Sequence, residues 1–126
     1  MKILIIEPND AHARTLGMVV QALGHKALVF TSPTEAIDAA DAEGPDVILL
    51  GLSLRGLDVY EYTRILREQD HLHAVKILAV SGEVSDPQAA REAGIDTELV
   101  RSQSRNLLTV LRENFREVEE AHGYER

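Results

Sequence analysis

The chain has 126 residues, 44% of them hydrophobic, and sets 13 basic against 21 acidic side chains for a formal net charge of −8. That length suits one domain around one core. The lack of cysteine excludes disulfides, thiolate catalysis and zinc–thiolate sites, and the acidity makes nucleic acid a poor partner.

The opening MKILIIEPND has a short apolar run, but Glu7, Pro8 and Asp10 follow at once, which does not suit a signal peptide. No run approaches the roughly 20 apolar residues of a membrane span. A cytoplasmic setting without membrane contact fits both facts. Lys2–Ile6 is predicted as a first strand; its unbroken apolar, branched composition is that of a strand buried on both faces. Leu16, Val19, Val20 and Leu23 then recur at helical spacing, and Gly24 follows as a C-terminal cap.

Ala27–Phe30 is the second predicted strand. Ser32-Pro33-Thr34-Glu35 is a capping box with proline at the first helical position, opening a helix that Gly44 closes. Val47–Leu50 is a third strand, as apolar as the first, and it ends on Gly51. Asp58-Val59-Tyr60-Glu61 and Ser85-Asp86-Pro87-Gln88 repeat the capping logic on either side of a fourth strand, Ile77–Val80. After Gly94 come a fifth strand, Glu98–Val100, and a last helix from about Gln103 to about Ala121, with Leu107, Leu111, Phe115 and Val118 on one face. Five alternations imply right-handed crossovers and a parallel sheet covered on both sides, in one domain over residues 1–121 with a tail at 122–126.

The loops narrow the function. A dinucleotide or P-loop site needs glycines in the first strand–helix loop. That loop here is Glu7-Pro8-Asn9-Asp10, without glycine and with a proline that lacks an N–H. The hydroxyl- and glycine-rich phosphate loop of a flavin mononucleotide site is missing too, as is a Ser/His/Asp order with a nucleophile elbow.

One pattern fits from end to end. KILIIEPNDAHARTLGMVVQALGHKALVFTSPTEAIDAA, PDVILLGLSLRGLDVYEYTRILRE, KILAVSG and REAGIDTELVRS, in this order and spacing, make the chain resemble the receiver domain of two-component response regulators over roughly Lys2 to Phe115. The resemblance implies an α/β fold, a flavodoxin-like (βα)5 doubly wound parallel five-stranded sheet of order 2-1-3-4-5. It also implies a phosphorylation pocket, which in this sequence departs from the family. The acidic pair after strand one stands as Glu7 and Pro8, and the phosphoacceptor Asp after strand three stands as Gly51. The hydroxyl after strand four is kept as Ser81. The Lys-Pro after strand five is Arg101-Ser102, and the switch aromatic is Glu98.

Phosphorylation of a receiver is carboxylate attack on phosphorus with Mg²⁺ and a cation holding the charge. Mg²⁺ wants an octahedron of oxygens with one or two carboxylates. Gly51 removes the nucleophile and a metal ligand together, and Pro8 removes another carboxylate. The expectation is a pseudo-receiver with a degenerate pocket of Glu7, Pro8, Gly51, Ser81 and Arg101, without metal, cofactor or enzymatic activity. An Arg101–Glu7 ion pair inside the old pocket and a trans Arg101–Ser102 bond are expected with it.

Other residues carry weaker signals. Glu7 is a residual metal ligand or, with its partners gone, only a carboxylate at a strand end. Asp58 reads as an N-cap rather than a displaced phosphoacceptor. Ser53 is a lone loop serine, and Ser81 is also ordinary turn chemistry. His71 and His73 have metal-like spacing but no third ligand placed by sequence. At least one of Tyr60 and Tyr62 is expected to pack on the sheet. Arg105, Arg112 and Arg116, among Glu113, Glu117, Glu119 and Glu120, make either a contact seam or a solvated face.

The preferred reading is a binding module that contacts a protein partner independently of phosphorylation. Arg91, Glu98, Arg105, Arg112 and Arg116 are its candidate interaction face, and a homodimer through helix 4, strand 5 and helix 5 is the expected self-association. The alternative is a switch answering another input, serine phosphorylation or a small ligand in the vacated pocket, as the regulatory part of a longer protein.

Overall fold

The computed structural model describes residues 1–51, 59–81, 86–100 and 107–123. The elements alternate throughout: β1 (Lys2–Ile6), α1 (Asp10–Ala22), β2 (Lys26–Phe30), α2 (Pro33–Glu43), β3 (Val47–Leu50), α3 (Val59–Arg67), β4 (Lys76–Ser81), α4 (Pro87–Ala93), β5 (Thr97–Val100) and α5 (Leu107–His122). All strands pair in parallel, in the order β2-β1-β3-β4-β5. This is the flavodoxin-like sheet that the family resemblance implies.

The period of two along each strand divides the core. Ile3, Ile5, Val47 and Leu49 point to one face, where Leu16 and Val20 of α1 and Leu111, Phe115 and Val118 of α5 cover them. Leu4, Ile6, Ile48 and Leu50 point to the other, against Ala36 and Ala40 of α2, Tyr62 and Leu66 of α3, and Ala90 of α4. β1 and β3 are the two strands whose neighbours lie on both sides and whose side chains Ile3–Ile6 and Val47–Leu50 are wholly buried.

Several boundaries move from the sequence reading, each for a hydrogen-bonding reason. β2 begins at Lys26, whose amide donates to the Met1 carbonyl at 2.9 Å. β4 extends to Lys76 and Ser81, and β5 to Thr97, because the ladder pairs Val47 with Lys76, Ser81 with Val100 and Leu78 with Thr97. The N-cap of α4 is Asp86, not Ser85: Asp86 Oδ1 accepts the amides of Gln88 and Ala89 at 3.0 and 3.2 Å. Pro87 occupies the first helical turn, which fixes the cap one residue before it. Ser32 is the N-cap of α2, with Oγ accepting the Glu35 amide at 3.3 Å. Gly24, Gly44 and Gly94 all take positive φ, as C-terminal caps should. α5 runs to His122, and Asp58, Gln103 and Arg105 lie outside the described residues.

Two aspartates close the lower edge of the sheet in the same way. Asp46, just before β3, exchanges bonds with β1: its amide donates to the Lys2 carbonyl at 2.9 Å and its Oδ2 accepts the Lys2 amide at 2.8 Å. Asp96, just before β5, does the same with Ile77 of β4, at 2.9 and 2.8 Å. Asp96 also receives Arg67 Nη2 at 2.8 Å. Arg67 reaches further. Its Nε and Nη2 donate to the Gly94 carbonyl at 3.0 and 2.7 Å, and Nη1 faces the carbonyls of Leu72, His73 and Val75 at 2.9, 3.1 and 2.7 Å. One planar fork thus ties the end of α3, the segment before β4 and the turn before β5. Gly94 has φ +110°, and a Cβ there would stand 2.8 Å from Arg67 Cγ, so both backbone and space demand glycine.

Replacing Arg67 by alanine is expected to cost about 2–3 kcal/mol, since charged hydrogen bonds are lost and carbonyls left unpaired. Arg67→Lys should recover less than half of that, because one ammonium cannot span the same set. Urea unfolding of the two variants beside the parent chain checks both expectations.

Candidate functional site

In a doubly wound sheet the carboxyl ends of the strands are where sites form. β1 ends at Ile6 and β3 at Leu50, directly opposite each other in the ladder. The next residues are Glu7 and Gly51. The Gly51 amide donates to the Ile6 carbonyl at 2.9 Å, so the register continues one step past both strands. Glu7 is wholly buried. Its amide donates to Phe30 of β2 at 3.0 Å. Its Oε2 accepts the Asn9 amide at 2.9 Å, and its Oε1 lies 3.8 Å from His12 Nδ1 in the first turn of α1. Pro8 is half-buried between them. Asn9 is the N-cap of α1, with Oδ1 accepting the His12 amide at 2.9 Å. The loop is therefore organised around the Glu7 carboxylate at one end and the Asn9 cap at the other.

The Glu7 side chain turns over Gly51. A Cβ built on Gly51 would stand 2.5 Å from Glu7 Oε1 and 2.8 Å from both Cβ and Cδ of Glu7. Real Cβ atoms do not approach other atoms so closely, so any side chain at 51 requires Glu7 to move. Ser81 ends β4, the next strand in the sheet. Glu7, Pro8 and Gly51 are thus brought together, with Ser81 at the end of the neighbouring strand. Arg101 and Ser102 lie outside the described residues, and with them the expected Arg101–Glu7 ion pair and trans Arg101–Ser102 bond.

The candidate interaction face divides. Arg91 on α4 and Arg112 and Arg116 on α5 are exposed, while Glu98 on β5 is half-buried. Arg112 lines a cleft of about 390 Å³ with Met1, Ala22, Leu23, Gly24, His25 and Glu119, none of them from α4 or β5. In that cleft His25 stands edge-on to Phe115 at 5.2 Å, with Nε2 3.7 Å from Glu119 Oε1. His71 pairs with Asp41 of α2 at 3.1 Å. Among the described residues no three His, Asp or Glu side chains gather as metal ligands do, and no helix is long and apolar enough to cross a membrane.

Sequence reasoning missed His12. Its only signal is its place in the first turn of the helix that follows the Glu7 loop. Both tyrosines pack on the same face of the sheet, Tyr60 half-buried and Tyr62 3% exposed, and the Tyr62 hydroxyl donates to the Pro33 carbonyl at 2.7 Å. Burial pushes the Tyr62 phenol pKa well above the ordinary range.

The response regulator receiver domain family matches residues 3–112, and the chain belongs to that family: it is a receiver domain of two-component signal transduction. It is 32% identical over 109 residues to an uncharacterized 76.5 kDa protein of Thiocystis violacea, an alignment covering 85% of this chain but 16% of that protein. The polar-differentiation response regulator DivK of Brucella anthropi is 25% identical over 96 residues, 75% of this chain and 78% of its own length. The chemotaxis protein CheY4 of Vibrio cholerae has the same fold, with a TM-score of 0.81 over 93% of this chain and 97% of that one, at 19% identity.

Two expectations follow. Gly51→Ala should cost about 1–3 kcal/mol in urea unfolding, the usual range for overpacking a filled site. A raised phenol pKa in the folded state means that the contribution of Tyr62 is whole below the ordinary tyrosine value of about 10 and is lost as pH rises above it. Urea midpoints taken from pH 8 to 11.5 should therefore fall less steeply for Tyr62→Phe than for the parent chain.

Proposed function

We propose that this domain is a pseudo-receiver, a contact module that works without phosphoryl transfer. The observation that carries the reading is the Glu7 side chain lying over Gly51, the position matching the family's phosphoacceptor, where there is neither a carboxylate nor space for one. The donor set does not suit Mg²⁺ either. Pro8 and Gly51 offer no side-chain oxygen, and Glu7, the one carboxylate of these three residues, is buried with Oε2 held by the Asn9 amide. A hard divalent ion asks for several free oxygens. We assign no catalytic reaction to the domain.

Its partner on this reading is a protein that meets a surface of fixed conformation. The exposed arginines of α4 and α5, Arg91, Arg112 and Arg116, support that assignment. So does the acidic remainder of the chain, with its net charge of −8, against which exposed cations stand out as recognition features. Self-association through α4, β5 and α5 is the second arrangement these residues allow.

The test is incubation with acetyl phosphate and Mg²⁺, read by intact mass. No phosphoryl group should be gained by the parent chain or by Gly51→Asp. The triple variant Glu7→Asp, Pro8→Asp, Gly51→Asp should be labelled, and its stability should fall in chelator and return with Mg²⁺, because three carboxylates repel until a cation joins them. Tagged domain should capture the same partner with and without the phosphodonor, and Arg112→Glu with Arg116→Glu should lose it. Rapid labelling of the parent chain would overturn the reading. Labelling on a serine would favour a switch with another input.

A further inference from the structure

Glu7 does more than crowd Gly51. The Cβ position of residue 51 coincides with the Glu7 carboxylate, at 2.5 Å from Oε1 and 2.8 Å from Cδ, so the acid group begins where a side chain on β3 would begin. The charge is also kept at 0% exposure. Filling that volume does not require a carboxylate. A leucine or glutamine has similar bulk and would be buried at lower cost, since an ionised acid must leave water. Here Oε2 accepts the Asn9 amide at 2.9 Å, a bond that suits the ion, and Oε1 lies 3.8 Å from the His12 imidazole.

We propose that Glu7 is a surrogate carboxylate: it supplies from β1, in cis and permanently, the acid group that β3 lacks. The inference rests on matching Gly51 to the acceptor position. It adds that the site has not been emptied but refilled, with a carboxylate that is walled in, tied to its own loop and closed to a phosphodonor. The carboxyl end of the sheet then carries its acid group within the chain, with no phosphorylation step to add or remove it, which is the physical basis for a surface of fixed conformation. The short reach from Glu7 to Asn9, two residues on, ties the carboxylate to the loop that starts α1.

Moving the carboxylate back to β3 tests this. Four variants are compared by urea midpoint: Glu7→Ala, Gly51→Asp, Glu7→Ala with Gly51→Ala, and Glu7→Ala with Gly51→Asp. Each single change should lower the midpoint, the first by losing the acid, the second by colliding with it. Glu7→Ala with Gly51→Asp should regain most of the midpoint lost by Glu7→Ala. Glu7→Ala with Gly51→Ala, which relieves the collision without restoring the acid, should not. Equal midpoints for the two double variants would reduce Glu7 to a space-filler and overturn the proposal. So would Gly51→Asp in the parent chain with an unchanged midpoint. Should Gly51→Asp fail to fold, the comparison of the two double variants still decides. Phosphodonor labelling of the parent chain is read separately: it would sink the pseudo-receiver reading whatever the midpoints do, and failure of the swap would leave an unlabelled parent chain as it stands.

Discussion

Ile6 stands opposite Leu50, and the Gly51 amide donates to the Ile6 carbonyl at 2.9 Å. This last rung between β1 and β3 constrains everything at the upper end of the sheet. It brings Glu7 and Gly51 to the same level and face. Because Ile3–Ile6 and Val47–Leu50 are wholly buried, neither strand can slide to relieve a conflict; a slip by one residue would send every core side chain to the opposite packed face, into helices shaped for its neighbour. The only freedom left is in the residues themselves. With a long acid on one strand, the other accepts nothing larger than hydrogen.

The opposite end of the sheet is closed by a different logic. Asp46 and Asp96 each sit one residue before a strand and accept an amide from the first two residues of the neighbouring strand. Arg67 then gathers Asp96 and four backbone carbonyls around one guanidinium. The lower edge is thus locked by polar groups with many partners, and the upper edge by a steric fit between two residues. The first kind of lock is general to the architecture of strands and turns. The second exists only for this pair of side chains.

The two kinds of lock differ in how far they can be read from sequence. The fold was legible because Ile3–Ile6 and Val47–Leu50 are unbroken branched runs, and because Gly24, Gly44 and Gly94 close helices at positive φ. That Gly51 ends the third strand was legible from the same run. That the Glu7 carboxylate fills its place was not, since it depends on the direction the side chain takes from β1. Arg67 looked like any cation in a helix reading VYEYTRILR, and its carbonyl partners come from turns whose paths sequence does not give. Ser85 and Asp86 are both good caps, and only the proline after them decides. His71 was read for its spacing to His73, yet its partner is Asp41, 30 positions away on α2.

The contact at Gly51 also gives mutational history a direction. Glycine and aspartate codons differ by a single base, and so do those of glutamate and aspartate, so each change is within easy reach of drift. Yet the steps do not commute. While Glu7 keeps its length, any side chain arriving at position 51 meets it at 2.5 Å, whereas a change at position 7 meets no such barrier. A lineage regains an acid on β3 at lower cost after the one on β1 has been shortened or lost than before. The close approach of two residues thus acts as a ratchet, holding the descendants of this sequence to the path on which they set out.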